Sequence, residues 1–245
     1  MRRALKVRRT SLNCKERTML TTGPMGIALN LISFAYLTSI LVVAVLMARR
    51  YGRQTPARQR RSRWLLAAVV TLIVGDTVHI VAYAHRTVSG VEAVALHWGG
   101  YPVSWLGVGS FATSFTLTFF YLFALLYRHE RTGCPWTWLE WLVMAALAVR
   151  VALLFFPQNR WGGLAPAWRI YRNIPFALAG FILAGMFLRA GSKWLTVAGW
   201  SVVVSFTCYL GTVLFVDRYP IAGMLMLPKM IAYAVTVVSF YKAEF

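Results

Sequence analysis

The sequence predicts an all-α integral membrane protein, a polytopic bundle of about seven transmembrane helices. Of its 245 residues, 59% are hydrophobic and only 13% are charged, and the mean hydropathy is +0.60. Soluble domains carry about 25% charged residues, so much of the usual polar surface is missing. Several apolar runs reach the roughly 20 residues that a helix needs to cross a bilayer at 1.5 Å per residue. These runs lack the alternation of barrel strands, and in hydrocarbon each segment must then satisfy its own backbone as a helix.

Seven segments follow in order: 27–47, 64–84, 105–127, 136–156, 171–188, 194–216 and 221–241. Trp64, Trp105, Trp136, Trp138, Trp194 and Tyr219 lie at or near segment ends, as the aromatic belts of membrane interfaces do. The basic stretch 48–63 reads as a linker, and two irregular loops precede the third and fifth segments. Pro175 interrupts the start of the fifth. No internal repeat or second domain is evident. The chain divides into a basic leader, 1–24, and one transmembrane domain, 25–245.

The formal charge is +19, from 26 Lys and Arg against 7 Asp and Glu. Most of the basic residues lie between apolar runs. There they act as orientation signals and as contacts for anionic lipid head groups, and no folded basic domain is left to bind nucleic acid. The loops after segments one, three and five, with the tail, hold twelve: Arg49, Arg50, Arg53, Arg58, Arg60, Arg61, Arg63, Arg128, Arg131, Arg189, Lys193 and Lys242. The opposite side holds five: Arg86, Arg160, Arg169, Arg172 and Arg218. This puts the amino terminus outside and the carboxyl terminus in the cytoplasm of a bacterial inner membrane. Seven further basic residues within 1–18 would balance the two sides, and a start at Met19 or Met25 would remove that conflict. Cys14, Cys134 and Cys208 are too widely spaced to suggest a metal site or a disulfide framework, and no cofactor is expected.

Ionisable groups inside spanning helices are costly, and by default they mark a site. Asp76 and His79 lie in the second segment, Arg150 in the fourth and Lys229 in the seventh. Counted by helical rise from the cytoplasmic end, Asp76 lies roughly 18 Å deep, His79 roughly 22 Å and Arg150 roughly 21 Å. Lys229, counted from the other end of its helix, lies at roughly 18 Å, so all four share one slab near the midplane. Asp76, His79, Tyr83 and Arg86 recur at three, four and three residues and therefore share a helix face. Ser110, Thr113 and Ser114 of the third segment lie at similar depth, and Ser110 with Ser114 forms a small-xxx-small pair suited to close packing. Arg172 and Asn173 could reach the outer mouth of this region if Pro175 frees backbone there; the plainer alternative makes Asn173 a helix cap with proline in the first turn. Glu140 reads as an interfacial residue.

The site so defined is Asp76, His79, Tyr83, Ser114, Arg150, Arg172, Asn173 and Lys229. Its surplus positive charge points to a small anionic or amphiphilic ligand, bound or transported. Three alternatives stand beside this reading. Asp76 could pair with Lys229 or Arg150 only to hold helices together. A lipid-modifying enzyme could use His79 and Asp76 as acid–base groups, although His79, His85, His97 and His129 are scattered and no activated nucleophile is evident. A retinal-type sensor is the third, because seven helices with a lysine in the last resemble microbial rhodopsins. That resemblance would make Lys229 the Schiff base and Asp76 a counter-ion. It is weakened by a third segment without acids and by Leu225 one turn before the lysine.

The patches Gly75-Asp76-Thr77-Val78-His79, Phe156-Pro157-Gln158-Asn159, Tyr171-Arg172-Asn173-Ile174-Pro175-Phe176 and Leu227-Pro228-Lys229 resemble a group of small bacterial multi-pass membrane proteins. The resemblance implies a bacterial inner-membrane protein whose patches form one shared site, and it supplies no activity.

Overall fold

A computed structural model describes residues 23–163 and 165–245 of the chain; most of the basic leader, with Cys14 and Met19, lies outside the described residues. Seven main helices follow in order. They are α1 (Gly23–Tyr51), α2 (Pro56–Ser89), α3 (Trp105–Thr132), α4 (Trp138–Leu154), α5 (Ile174–Leu188), α6 (Lys193–Phe215) and α7 (Met226–Glu244). A short helix, Pro166–Tyr171, leads into α5, and a 3-10 turn, Pro220–Leu225, leads into α7. Six spans are long and apolar enough to cross a membrane, with Pro166–Leu188 acting as one of them. The remaining helix, α4, has 17 residues, about 26 Å of helix. The architecture is thus the all-α polytopic bundle that the composition requires.

Local chemistry sets the helix ends. Pro56 opens α2 in the first turn, where its missing N–H costs nothing, and Gly90 closes it in the left-handed region at φ 66°. Ser104 caps α3 by accepting from the Gly107 N–H at 3.1 Å. A reciprocal capping box between Thr137 and Glu140 starts α4. Glu140 is buried and also accepts from Arg128 at 2.6 Å, so it locks the α3–α4 corner.

Two expectations are corrected. Most of the stretch 48–63 is helix, continuing α1 and opening α2, and only residues 52–55 connect the two. Arginine is a good helix former, so a charge run flanked by apolar helix simply prolongs it. The loop before α3 is a β-hairpin, with β1 (Val94–Trp98) antiparallel to β2 (Tyr101–Ser104). Gly99 and Gly100 adopt φ 56° and 82°, the mirror-image turn that matches strand twist. The hairpin lies on a small aromatic cluster, with the Trp98 ring 5.2 Å from Phe111 and Val103 packed with Leu154 and Trp161.

Helices α2 and α3 approach closely where Gly75 and Gly109 meet. A Cβ on Gly109 would stand 2.8 Å from the His79 Cα, and the Thr113 hydroxyl donates across the gap to the Gly75 carbonyl at 3.0 Å. The main core fills the half of the bundle nearest the basic end. There Met47, Leu65, Phe120, Leu125, Tyr127, Phe187 and Phe240 are fully buried. That end is clasped by Glu244 of α7, which is 0% exposed. It accepts from Arg61 at 2.9 Å, Arg131 at 2.7 Å and Tyr127 at 2.8 Å, while its backbone carbonyl receives Gln54.

Candidate functional site

Arg150 of α4 is the largest fully buried side chain, 1% exposed. Its Nε donates to the Thr118 hydroxyl of α3 at 2.9 Å and its Nη1 to Asn173 Oδ1 at 2.8 Å. The guanidinium carbon lies 3.4 Å from the centre of the Phe176 ring, a cation–π contact in a dry site. Tyr209 of α6 donates to the same Asn173 oxygen at 2.8 Å. One amide oxygen therefore joins a charge on α4, a phenol on α6 and the entry to α5.

Asn173 occupies the N-cap position of α5, yet its backbone is helical and its side chain makes no capping bond. Instead its amide NH2 donates to the Arg169 carbonyl at 2.8 Å, and its oxygen faces Arg150 and Tyr209. Asn173 and Pro175 thus stand where an ordinary helix start puts them, at the N-cap and in the first turn, while the Asn173 side chain turns inward and leaves the cap bond unmade. Arg172 lies beside it, donating to Asn159 Oδ1 at 2.9 Å and stacking 3.9 Å above the Trp161 ring. Asn159 is itself anchored, its NH2 donating to the carbonyls of Leu153, Leu154 and Phe156 at the end of α4. The patch 156–159 thus closes α4 and presents an acceptor to Arg172.

Lys229, at the start of α7, places its ammonium 4.9 Å from the Tyr209 ring centre and 5.3 Å from that of Tyr233. On the opposite wall, Asp76 of α2 accepts from the Tyr36 hydroxyl of α1 at 2.8 Å. No ion pair within 4.0 Å joins Asp76 to Lys229 or Arg150 among the described residues. His79, one turn from Asp76, is packed against Gly109, and its buried Nδ1 has no hydrogen-bond partner among the described residues. The buried Nε of Arg172 is likewise unpartnered there.

The predicted slab therefore contains two groups. Arg150, Asn173, Arg172 and Lys229 gather around Tyr209, and Asp76 with His79 lines the α2 side. Tyr83 continues the α2 stripe, half-buried, and Arg86 leaves the cluster to pair with Glu92. Ser114 contributes its carbonyl, which accepts from Thr118, and Ser110 bonds back to Leu106 in its own helix. Sequence reasoning named Asn159 only within its patch and missed Thr118 and four tyrosines: Tyr36, Tyr121, Tyr209 and Tyr233, of which Tyr121 and Tyr233 meet at 3.4 Å between hydroxyl oxygens. The available signal was their position. Each tyrosine falls inside an apolar run and not at its end, where belt tyrosines sit.

Fold and site together define a multi-pass membrane helix bundle with a cation-rich polar layer inside it. Comparison with protein-family models, curated proteins and solved structures found no match to the chain.

Proposed function

We propose that this protein binds or carries a small acid-bearing ligand, an anion or an anionic amphiphile, in a polar site within the bilayer. One observation carries the reading. Arg150, Arg172 and Lys229 surround Asn173 and Tyr209, and no carboxylate lies within 4.0 Å of any of the three cations among the described residues. Cations without a carboxylate in contact are expensive in low dielectric, and an anion arriving among them would relieve that cost. Arg172, Lys229 and Tyr209 are half-buried and available to a ligand. Arg150 is sealed and would act by fixing Asn173 and Tyr209. His79, with its free Nδ1, would be the proton-sensitive partner on the α2 wall.

The half-buried residues Asp76, His79, Tyr83, Ser110 and Ser114 lie on the side of the layer away from the fully buried core. Entry from the hairpin end is consistent with that difference. The same reading puts the basic end in the cytoplasm of a bacterial inner membrane. Exposed Cys134, at that end, should resist a membrane-impermeant maleimide in intact cells and react after the membrane is opened.

Native mass spectrometry of the gently purified protein tests the site. A stoichiometric small-molecule adduct in the wild type, lost in Arg172→Gln and Lys229→Met, is expected. Bare protein from every preparation, with both variants as stable as the wild type, would instead favour a purely structural network.

A further inference from the structure

The basic end carries a second pattern, independent of the intramembrane layer. Helix α2 has 34 residues, about 51 Å of helix, whereas a hydrocarbon core is about 30 Å thick. Its apolar stretch, 64–84, is enough to span that core, which leaves residues 56–63 beyond it at head-group level. Those two turns hold Arg58, Arg60, Arg61 and Arg63.

Each of these arginines is rooted on an internal carboxylate. Arg60 and Arg63 reach Glu130 of α3 at 3.3 and 3.9 Å, and Arg58 and Arg61 reach Glu244 of α7 at 3.7 and 2.9 Å. Arg131 also takes Glu244, so five guanidiniums share two carboxylates. Three positive charges are left over, and of the four α2 arginines Arg61 alone hydrogen-bonds its carboxylate, at 2.9 Å. The Arg60 side chain remains 72% exposed and that of Arg63 49%, with donors free to face outward.

What lies below them distinguishes the partner. Arg63 sits over the Trp64 ring at 4.7 Å. Val70, Val74 and Val81 follow Arg63 at seven, eleven and eighteen residues, within about 20° of its direction around a helix of 100° per residue. All three valines are exposed large hydrophobics. The α2 face of Arg63 thus presents an exposed guanidinium, with that of Arg60 one turn above it, and then an apolar stripe running into the membrane. The Trp64 ring lies about 100° round the helix and packs inward on Phe123. A nucleic acid or an acidic protein would use only the guanidiniums.

We propose that Arg60 and Arg63 form a binding site for the phosphate of an anionic glycerophospholipid, whose acyl chains lie along Val70, Val74 and Val81. Two guanidiniums that share the single carboxylate of Glu130 keep a net positive charge and free donors, which a phosphodiester can take as charge-assisted hydrogen bonds.

The test is native mass spectrometry of the full chain released from bilayers of phosphatidylglycerol and phosphatidylethanolamine in equal parts. Bound phosphatidylglycerol should exceed phosphatidylethanolamine, and the ratio should fall about tenfold in R60Q/R63Q. It should hold in R189Q, which removes an exposed arginine elsewhere at the same end, and fall only in part in R60K/R63K, which keeps the charge but loses the guanidinium fork. A melting temperature of R60Q/R63Q within a few degrees of the wild type confirms that lost binding is not lost folding. Equal retention of both lipids by the wild type, or an unchanged ratio in a folded R60Q/R63Q, would overturn the proposal. So would a nucleic acid or acidic protein held on these arginines in place of lipid.

Discussion

Removing the acceptor beside Arg150 should harm the fold more than removing Arg150 itself. In Asn173→Leu the guanidinium stays, 1% exposed, but loses the oxygen that takes its Nη1 at 2.8 Å; the Tyr209 hydroxyl loses the same acceptor. Stripping a partner from a buried charge costs about 3–5 kcal/mol, because the charge remains desolvated. In Arg150→Met the charge goes, and an unbranched apolar chain can still cover Phe176. The groups left behind are neutral and keep other bonds. Thr118 still donates to the Ser114 carbonyl at 2.8 Å, and Asn173 Oδ1 still accepts from Tyr209. The expected net cost is about 0–2 kcal/mol, since relief of desolvation offsets the lost hydrogen bonds. The double variant should be more stable than Asn173→Leu alone, by about 1–3 kcal/mol. Unfolding in detergent micelles, followed through the fluorescence of the ten tryptophans, measures all three. If Arg150→Met proves as costly as Asn173→Leu, or the double variant shows no recovery, the guanidinium is not held mainly by Asn173 and the reasoning fails.

Further outcomes follow from contacts elsewhere in the bundle. Gly109→Ala would bring a methyl to 2.8 Å from the His79 backbone, which must shift; we expect a loss of about 1–3 kcal/mol by the same unfolding assay. Glu140→Ala removes both the α4 capping box and the Arg128 contact and should cost about 1–2 kcal/mol, read as a lower melting temperature. Glu244→Gln should lower stability by about 2 kcal/mol, less than for a fully buried pair because its arginines are partly solvated. That loss should shrink when salt is raised, and an unchanged difference at high salt would count against the clasp being electrostatic.

Much of the bundle was legible because hydrocarbon leaves a chain few options. Run length gave the seven helices, and the 3-4-3 spacing of Asp76, His79, Tyr83 and Arg86 gave one polar face. Arg150 bonds Asn173, which also takes Tyr209, and Lys229 lies over the Tyr209 ring, contacts that helical rise alone does not specify. Partner choice was not legible. Opposite charges at equal depth suggest an ion pair, yet Asp76 takes a phenol from α1 and Arg150 takes neutral oxygens, because rotation of each helix about its axis decides which faces meet. The position of Asn173 at a helix start was legible, but the partners of its side chain, Arg150 and Tyr209, come from other helices and were not. The hairpin before α3 was missed although Gly99-Gly100 sits between strand-like residues, because a polar loop between spans was the simpler expectation.

The clasp at Glu244 bears on the order in which the protein is made. Arg61 leaves the ribosome 183 residues ahead of the carboxylate that receives it, and Arg131 precedes it by 113. Until α7 has been synthesised, Arg61 lacks its Glu244 acceptor, and Arg131 has only the Tyr127 hydroxyl of its own helix, at 3.1 Å. Guanidiniums are costly in hydrocarbon, so in that interval they oppose any sliding of α2 and α3 into the bilayer. Once Glu244 arrives, it converts these provisional anchors into fixed internal bonds. A single carboxylate on the last of the seven helices thus ties together segments made much earlier in the chain.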